Sequence, residues 1–300
     1  MASVYEIVTD KILAELASGK IPWDMPFTVQ TPRSLVSGKP YRGINTLLLG
    51  MAGFSSPYWL TYKQATDRGG NVKKGQHGTL IVFWKWNENP TRKADSETDS
   101  EESETNSGRA PLLRYYTVFN VEQCEKIEAP AAGAPVPSIE SADAIIAGYK
   151  NAPTIQTGSQ ASYLITTDVV TMPAPSAFKQ SDEYYSVFFH ELTHSTRHSS
   201  RLNRGTGTPN RFGSEEYSKE ELVAEMGAAM LLGTCGIQST IRRNAGYIQN
   251  WIQVLKNDTR MVVLAAAQAQ KAADWILGPA RAAEESELDA TAENVPYCGE

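Results

Sequence analysis

The chain has 300 residues, 41% of them hydrophobic, and a formal net charge of −6. That size buries a real core and suits two domains. No apolar run is long enough to cross a bilayer and the amphipathic N-terminus has no signal-peptide core, so a cytoplasmic protein is expected. Three cysteines far apart, Cys124, Cys235 and Cys298, exclude a disulfide framework and a cysteine-rich zinc module.

Val4, Ile7, Val8, Ile12 and Leu16 recur at helical spacing, with Gly19 as the stop. Pro22-Trp23 and Pro26-Phe27 break the helix. A turn-rich segment from Gly38 to Asn45 leads into a short apolar run, Thr46 to Leu49. Pro57 to Ala65 is read as the start of a helix ending at Gly69-Gly70. Val72 to Gly78 is a turn, and the branched and aromatic runs Thr79 to Trp86 and Leu112 to Val121 are strands that pair as a hairpin. Between them, Asn87 to Ala110 holds seven acidic and three basic residues and almost no apolar ones. Its composition does not offset the entropy of ordering, so a disordered loop is expected. Without that run, residues 1–128 hold 12 basic and 8 acidic side chains, whereas residues 129–300 hold 13 and 19. The negative average thus conceals a basic first half.

The Pro/Ala stretch 129–138 is the expected linker between a first domain, 1–128, and a second, 139–283, with a loose tail at 284–300. In the second domain Ser141 to Lys150 is a helix, and Ala161 to Thr166 and Asp168 to Pro173 are strands. A histidine-bearing helix follows, then a Gly/Asn/Arg-rich loop from Ser199 to Ser214. Ser218 to Leu232 is a helix with Ser218 as N-cap and Glu221 at capping-box spacing. Tyr247 to Leu255 and Met261 to Leu277 are further helices. The fold class is α+β, a small β-containing domain beside a more helical one.

The chemistry concentrates in His190-Glu191-Leu192-Thr193-His194. One helical turn puts His190 and His194 on the same face, within reach of one ion, and turns Glu191 toward the position of an attacking water. Composition predicts about 0.006 chance matches to this pattern, so a zinc site is favoured over surface histidines; other divalent metals also fit two imidazoles. A third ligand is needed. The position ten residues after His190 is Ser200, and His198 lies too far along the axis from His194 to share the ion. Glu221 and Glu225, four apart on the next helix, are the candidates, one as ligand and the other as a hydrogen-bond partner of a ligand imidazole. Glu220 is read as an acid favouring the helix N-terminus and solvating its outer face. In the first half aromatics interleave with bases. Lys20, Trp23, Arg33, Lys39, Tyr41, Arg42, Tyr62, Lys63, Lys73 and Lys74 are candidate contacts to single-stranded DNA, while Trp59 and Phe83 are expected in the core.

These segments together resemble a known family. Pro22-Trp23…Pro26-Phe27, Tyr41-Arg42-Gly43-Ile44-Asn45, Trp59 to Gln64, Val72 to Gly75, Asp168 to Pro173, His190 to Thr196, Ser200-Arg201-Leu202-Asn203-Arg204 and Glu220 to Glu225 look like the ArdC-type antirestriction proteins of conjugative plasmids. The resemblance runs from about Val4 to Leu277. It implies an N-terminal single-stranded-DNA-binding domain as in TraC-type primases and a C-terminal SprT-like zinc metallopeptidase domain. It also implies protection of incoming plasmid DNA from host restriction, with a host protein as a peptidase substrate. It further implies His190, His194 and Glu221 on zinc, Glu191 as catalytic base, and Glu225 and His198 around the ligands. The strand from Asp168 to Met172 is then the edge for an extended peptide. Arg197 stands where relatives often carry glycine, and the acidic insert is long for the family. A rival reading keeps the same residues but makes the protein a DNA-coating one whose metal is structural and not proteolytic.

Overall fold

The computed structural model describes residues 2–24, 31–85, 112–130, 139–204, 214–237 and 245–278. The acidic insert, most of the Pro/Ala linker, Phe27 and the tail from residue 284 lie outside these. Helix α1 (Val4–Ala17) opens with a capping box in which Ser3 and Glu6 exchange hydrogen bonds. Strand β1 (Arg33–Ser34), α2 (Ile44–Gly50), β2 (Tyr58–Leu60), α3 (Tyr62–Asp67) and β3 (Asn71–Val72) follow. The hairpin strands are β4 (Thr79–Lys85) and β5 (Leu112–Asn120), antiparallel from Thr79 opposite Val118 to Lys85 opposite Leu112. These strands form a sheet of order β1-β2-β5-β4, and β3 pairs separately with β6 (Cys124–Glu125). The stretch read as a helix from Pro57 is therefore a strand as far as Leu60. Tyr58 to Leu60 is held between β1 and β5, and the helix begins only where Thr61 and Gln64 form a capping box.

The second half comprises α4 (Ile139–Gly148), β7 (Thr154–Thr157), β8 (Ser162–Leu164), β9 (Val169–Met172), α5 (Ser181–Ser195), α6 (Glu215–Cys235), α7 (Ala245–Asn257) and α8 (Met261–Leu277). The expected edge at Asp168 to Met172 is a correction: β9 is the middle strand, parallel to β7 and antiparallel to β8. Among the described residues, the unpaired edge beside α5 is that of β8. Helix α6 also starts earlier than expected. Ser214 is its N-cap, accepting from the Tyr217 N–H, whereas Ser218 lies one turn inside and is buried. From Leu222 to Leu232 nearly every side chain of α6 is buried, so this helix is the axis of the domain, packed by α5 and α8.

The largest core crosses between the halves. Val8, Ile12 and Leu16 of α1 and Leu47 and Leu48 of α2 join residues of α6, α7 and α8. Trp23, 1% exposed, meets Trp251 edge-on at a centroid distance of 5.0 Å. The Tyr41-to-Asn45 segment lies at the same junction. Gly43 sits at φ +57°, and its N–H donates to Gln270 Oε1 of α8 at 2.9 Å. The side chain of Asn45 exchanges two hydrogen bonds with the backbone of Val82, protecting the outer edge of β4.

Past α5 the chain turns back on itself through Arg201. Its side chain is fully buried, and its guanidinium forks onto the carboxylate of Asp168, in the turn between β8 and β9. The same group donates to the carbonyls of Ser195 (2.8 Å) and Asn151 (2.9 Å), so it caps the end of α5 and ties it to the sheet. Burial alone would raise the Asp168 pKa. The hydrogen bonds from Arg201 and Tyr163 outweigh it and hold the carboxyl below its ordinary value. The clamp is therefore complete above the unfolded carboxylate range and fades as pH falls through the depressed value. Asp168→Ala, which strands a buried guanidinium, is expected to cost about 3 kcal/mol in urea denaturation at pH 7, with the gap to wild type narrowing on acidification.

Candidate metal centre and nucleic-acid residues

The apolar stripe of α5, Tyr185, Phe188, Phe189 and Leu192, faces the core and turns His190 and His194 toward α6. The two Nε2 atoms stand 3.1 Å apart. Two imidazole nitrogens sharing a tetrahedral zinc at about 2.0–2.1 Å would be separated by roughly 3.3 Å, so the spacing fits one ion. Across from them Glu221 brings Oε1 to 3.4 Å from His194 Nε2 and Oε2 to 3.6 Å from His190 Nε2. The three residues offer ligand atoms within 4.8 Å of one another. Close packing of the helices makes this possible. A Cβ at Gly227 would come within 2.5 Å of Thr193 Cγ2, and Thr193 is fixed by its own hydrogen bond to the Phe189 carbonyl.

The back of each imidazole also meets a carboxylate. Glu225 Oε1 lies 3.7 Å from His190 Nδ1, and Glu220 Oε1 lies 3.4 Å from His194 Nδ1. Glu220 is a correction to its reading as a solvated helix acid. It is buried, and its carboxylate accepts from Arg204 at 2.9 Å. Arg204 donates as well to Thr196 Oγ1 and to the Thr193 carbonyl, joining the loop, the end of α5 and α6. Burial would lower the pKa of His194. The hydrogen bonds and charges of Glu220 and Glu221 overcome this and raise it to about 10. Burial would raise both glutamates, but His190 and His194 depress Glu221, and His194 and Arg204 depress Glu220. The cluster is a site that holds positive charge. Glu191, half-buried on the same turn of α5, makes no hydrogen bond or ion pair among the described residues and so keeps a carboxylate available for chemistry. His198 is a second correction. Its Nδ1 bonds the hydroxyl of Ser200 at 2.8 Å and its backbone N–H at 3.2 Å, which fixes its own turn and leaves it without contact to His190 or His194.

The ten candidate DNA contacts divide by exposure. Trp23 and Lys39 are buried, Trp23 as a core residue that no base reaches. Arg33, Tyr41 and Arg42 are half-buried, and Arg42 forms an ion pair with Asp274 of α8. Lys20, Tyr62, Lys63, Lys73 and Lys74 are exposed. Tyr62 and Lys63 open α3, which packs on β3 just before Lys73 and Lys74; Lys20 stands at the far end of α1. Trp59 is in the core as expected, but Phe83 is 38% exposed.

A family model for zincin-like metallopeptidases matches residues 140–268, so the fold and the His190/His194/Glu221 cluster define a zincin-like domain. A second, for the N-terminal domain of the anti-restriction factor ArdC, matches residues 2–119. Among solved structures, the antirestriction protein ArdC of plasmid R388 in a Mn(II)-bound form is 34% identical and covers 92% of this chain and 97% of its own, with a TM-score of 0.73. Its metal-free form is 33% identical, covers 97% and 99%, and has the same TM-score. A Sinorhizobium fredii protein called y4eC is 33% identical over 91% of both chains. Two DNA primases TraC of Escherichia coli are 34% and 35% identical over 91% of this chain, which spans only 20% and 27% of their lengths. The chain belongs to the ArdC-type antirestriction protein family.

The buried Arg204–Glu220–His194 relay orients one imidazole of the candidate centre, and losing a partner behind a metal-binding imidazole weakens metal binding by about 10–100-fold. Glu220→Gln is expected to do so in a competition titration with a fluorescent chelator, with the thermal transition lowered as well because the buried Arg204 loses its charged partner.

Proposed function

We propose that the protein protects incoming plasmid DNA from restriction by binding single strands through its first half and carrying a metal-dependent peptidase in its second. The observation that carries the peptidase reading is the convergence of His190, His194 and Glu221 beside a free Glu191. Those three residues would hold a divalent ion. Their two imidazoles and one carboxylate suit zinc, and the Mn(II)-bound relative favours manganese as a second candidate. When bound, the ion supplies Lewis-acid chemistry, acidifying water and polarising a carbonyl.

The protein's own groups do the rest. Glu191 accepts a proton from the attacking water and returns it to the departing amine. Glu220 holds the His194 imidazole from behind, and Glu225 faces the back of His190 at 3.7 Å, so both Nε2 atoms are favoured to aim at one point. A peptide extended along the open edge of β8 would present its backbone to the site. Glu191→Ala is expected to abolish peptide cleavage, read by mass spectrometry of a peptide library, with metal content and DNA binding unchanged. Full antirestriction by that variant in conjugating cells would make the protein a DNA-coating one and its metal structural.

The DNA reading rests on the match to the ArdC N-terminal domain, on the TraC relatives, and on the exposed Lys20, Lys63, Lys73 and Lys74. Because α1 and Trp23 share their core with α7 and α8, the full chain and not a fragment is the object to test. Its affinity for a single-stranded oligonucleotide is expected to fall steeply between about 50 and 200 mM salt, as counterion release requires. A salt-independent affinity in fluorescence anisotropy would rule this mode out.

A further inference from the structure

The β4–β5 hairpin exposes four large aromatic side chains, Phe83 and Tyr116 on one face and Trp84 and Tyr115 on the other. Strand pairing puts Phe83 opposite Arg114 and Ile81 opposite Tyr116, so Phe83, Arg114 and Tyr116 share one face. Phe83 and Tyr116 are 38% and 42% exposed, and Arg114, opposite Phe83 and two residues from Tyr116 on its strand, is exposed as well. Ile81 and Val118 lie further along the same face, buried with Leu49 and Trp59 in a small core against which Tyr41 packs, while Leu80, Val82 and Leu113 on the opposite face join the main core. The two rings stand 5.2 Å apart with planes tilted by 55°, so they do not close face to face. The side chains are thus held by a packed sheet while their outer surfaces stay open. Charge adds to this: residues 79–85 and 112–120 include Lys85 and Arg114 and not one acidic residue, in a chain of net charge −6.

From this we propose that Phe83 and Tyr116 are a base-stacking platform for single-stranded DNA, with Arg114 on the phosphate beside them. The proposal rests on the single-stranded-DNA reading above and gives it a place. Aromatic faces on a sheet hold unpaired bases without reading sequence, and the diagonal pair Phe83 and Tyr116, tilted to each other, offers two separate faces to stack on. A second copy of the chain is the other occupant an apolar face invites. Arg114, beside the rings on strands that carry no acid of their own, favours a polyanion over a self-complementary surface. Sequence reading placed Phe83 in the core, because period-2 alternation does not tell which end of a strand leaves the core.

The test uses the full chain and a fluorescein-labelled oligo(dT) of roughly a dozen nucleotides. The double variant Phe83→Ser/Tyr116→Ser is expected to bind at least about tenfold more weakly with an unchanged salt slope. Arg114→Gln is expected to lower the slope by about 0.7, the share of one phosphate contact on a single strand. Phe83→Trp keeps the aromatic face and guards against a folding artefact. It should retain affinity, and its added emission, taken as the difference from wild type, should be quenched by the oligonucleotide. If wild type binds and the double variant binds equally, the platform is elsewhere and the DNA reading stands. If wild type binds no single strands at all, that reading falls and this one with it. A concentration-dependent dimer in light scattering that the double variant dissolves, with DNA affinity unchanged, would assign the face to self-association.

Discussion

The candidate centre depends on how the end of α5 is held. A helix leaves its last carbonyls unpaired, and His190 and His194 lie in the final two turns, where fraying would loosen both. The chain answers with two arginines from the loop that follows. Arg201 takes the Ser195 carbonyl and forks onto Asp168; Arg204 takes the Thr193 carbonyl and holds Glu220. Each arginine thus caps α5 and ties it to another element, the sheet in one case and α6 in the other. Positive charge at a helix C-terminus is also favourable in itself.

From this follows the logic of the acids on α6. Glu220, Glu221 and Glu225 are buried or half-buried on a helix that is otherwise apolar along most of its length. Buried carboxylates persist only when paired, and here each faces an imidazole. The two histidines are enclosed by acids in front and behind, and the close contact at Gly227 and Thr193 brings the two sets together. A cation in the middle, proton or metal, is what balances that arrangement.

Much of this was legible because helices impose fixed spacing. His190 and His194, and Glu221 and Glu225, declare their common faces by being four apart. What was not legible depends on tertiary partners. Glu220 resembles any acid near a helix start until Arg204 arrives from outside the helix. Tyr58 to Leu60 carries no alternation that marks a strand, since Trp59 and Leu60 are both buried between neighbours distant in sequence. β7 is exposed along its four residues and only Ile155 among them is apolar, so nothing announced it, and without it β9 looked like an edge. Tyr41 and Arg42 match a basic aromatic surface by type, yet their segment serves the junction with α8.

That junction has a consequence for how such a protein could be rearranged. Trp23 finds its partner in Trp251, Gly43 in Gln270 and Arg42 in Asp274, all on the far side of the Pro/Ala stretch. A chimera spliced at that stretch would inherit two halves, each recognisable on its own, whose seam no longer matches. The parts are separable in sequence and packed into one core, with α8 touching both the first half and the helix that carries the glutamates.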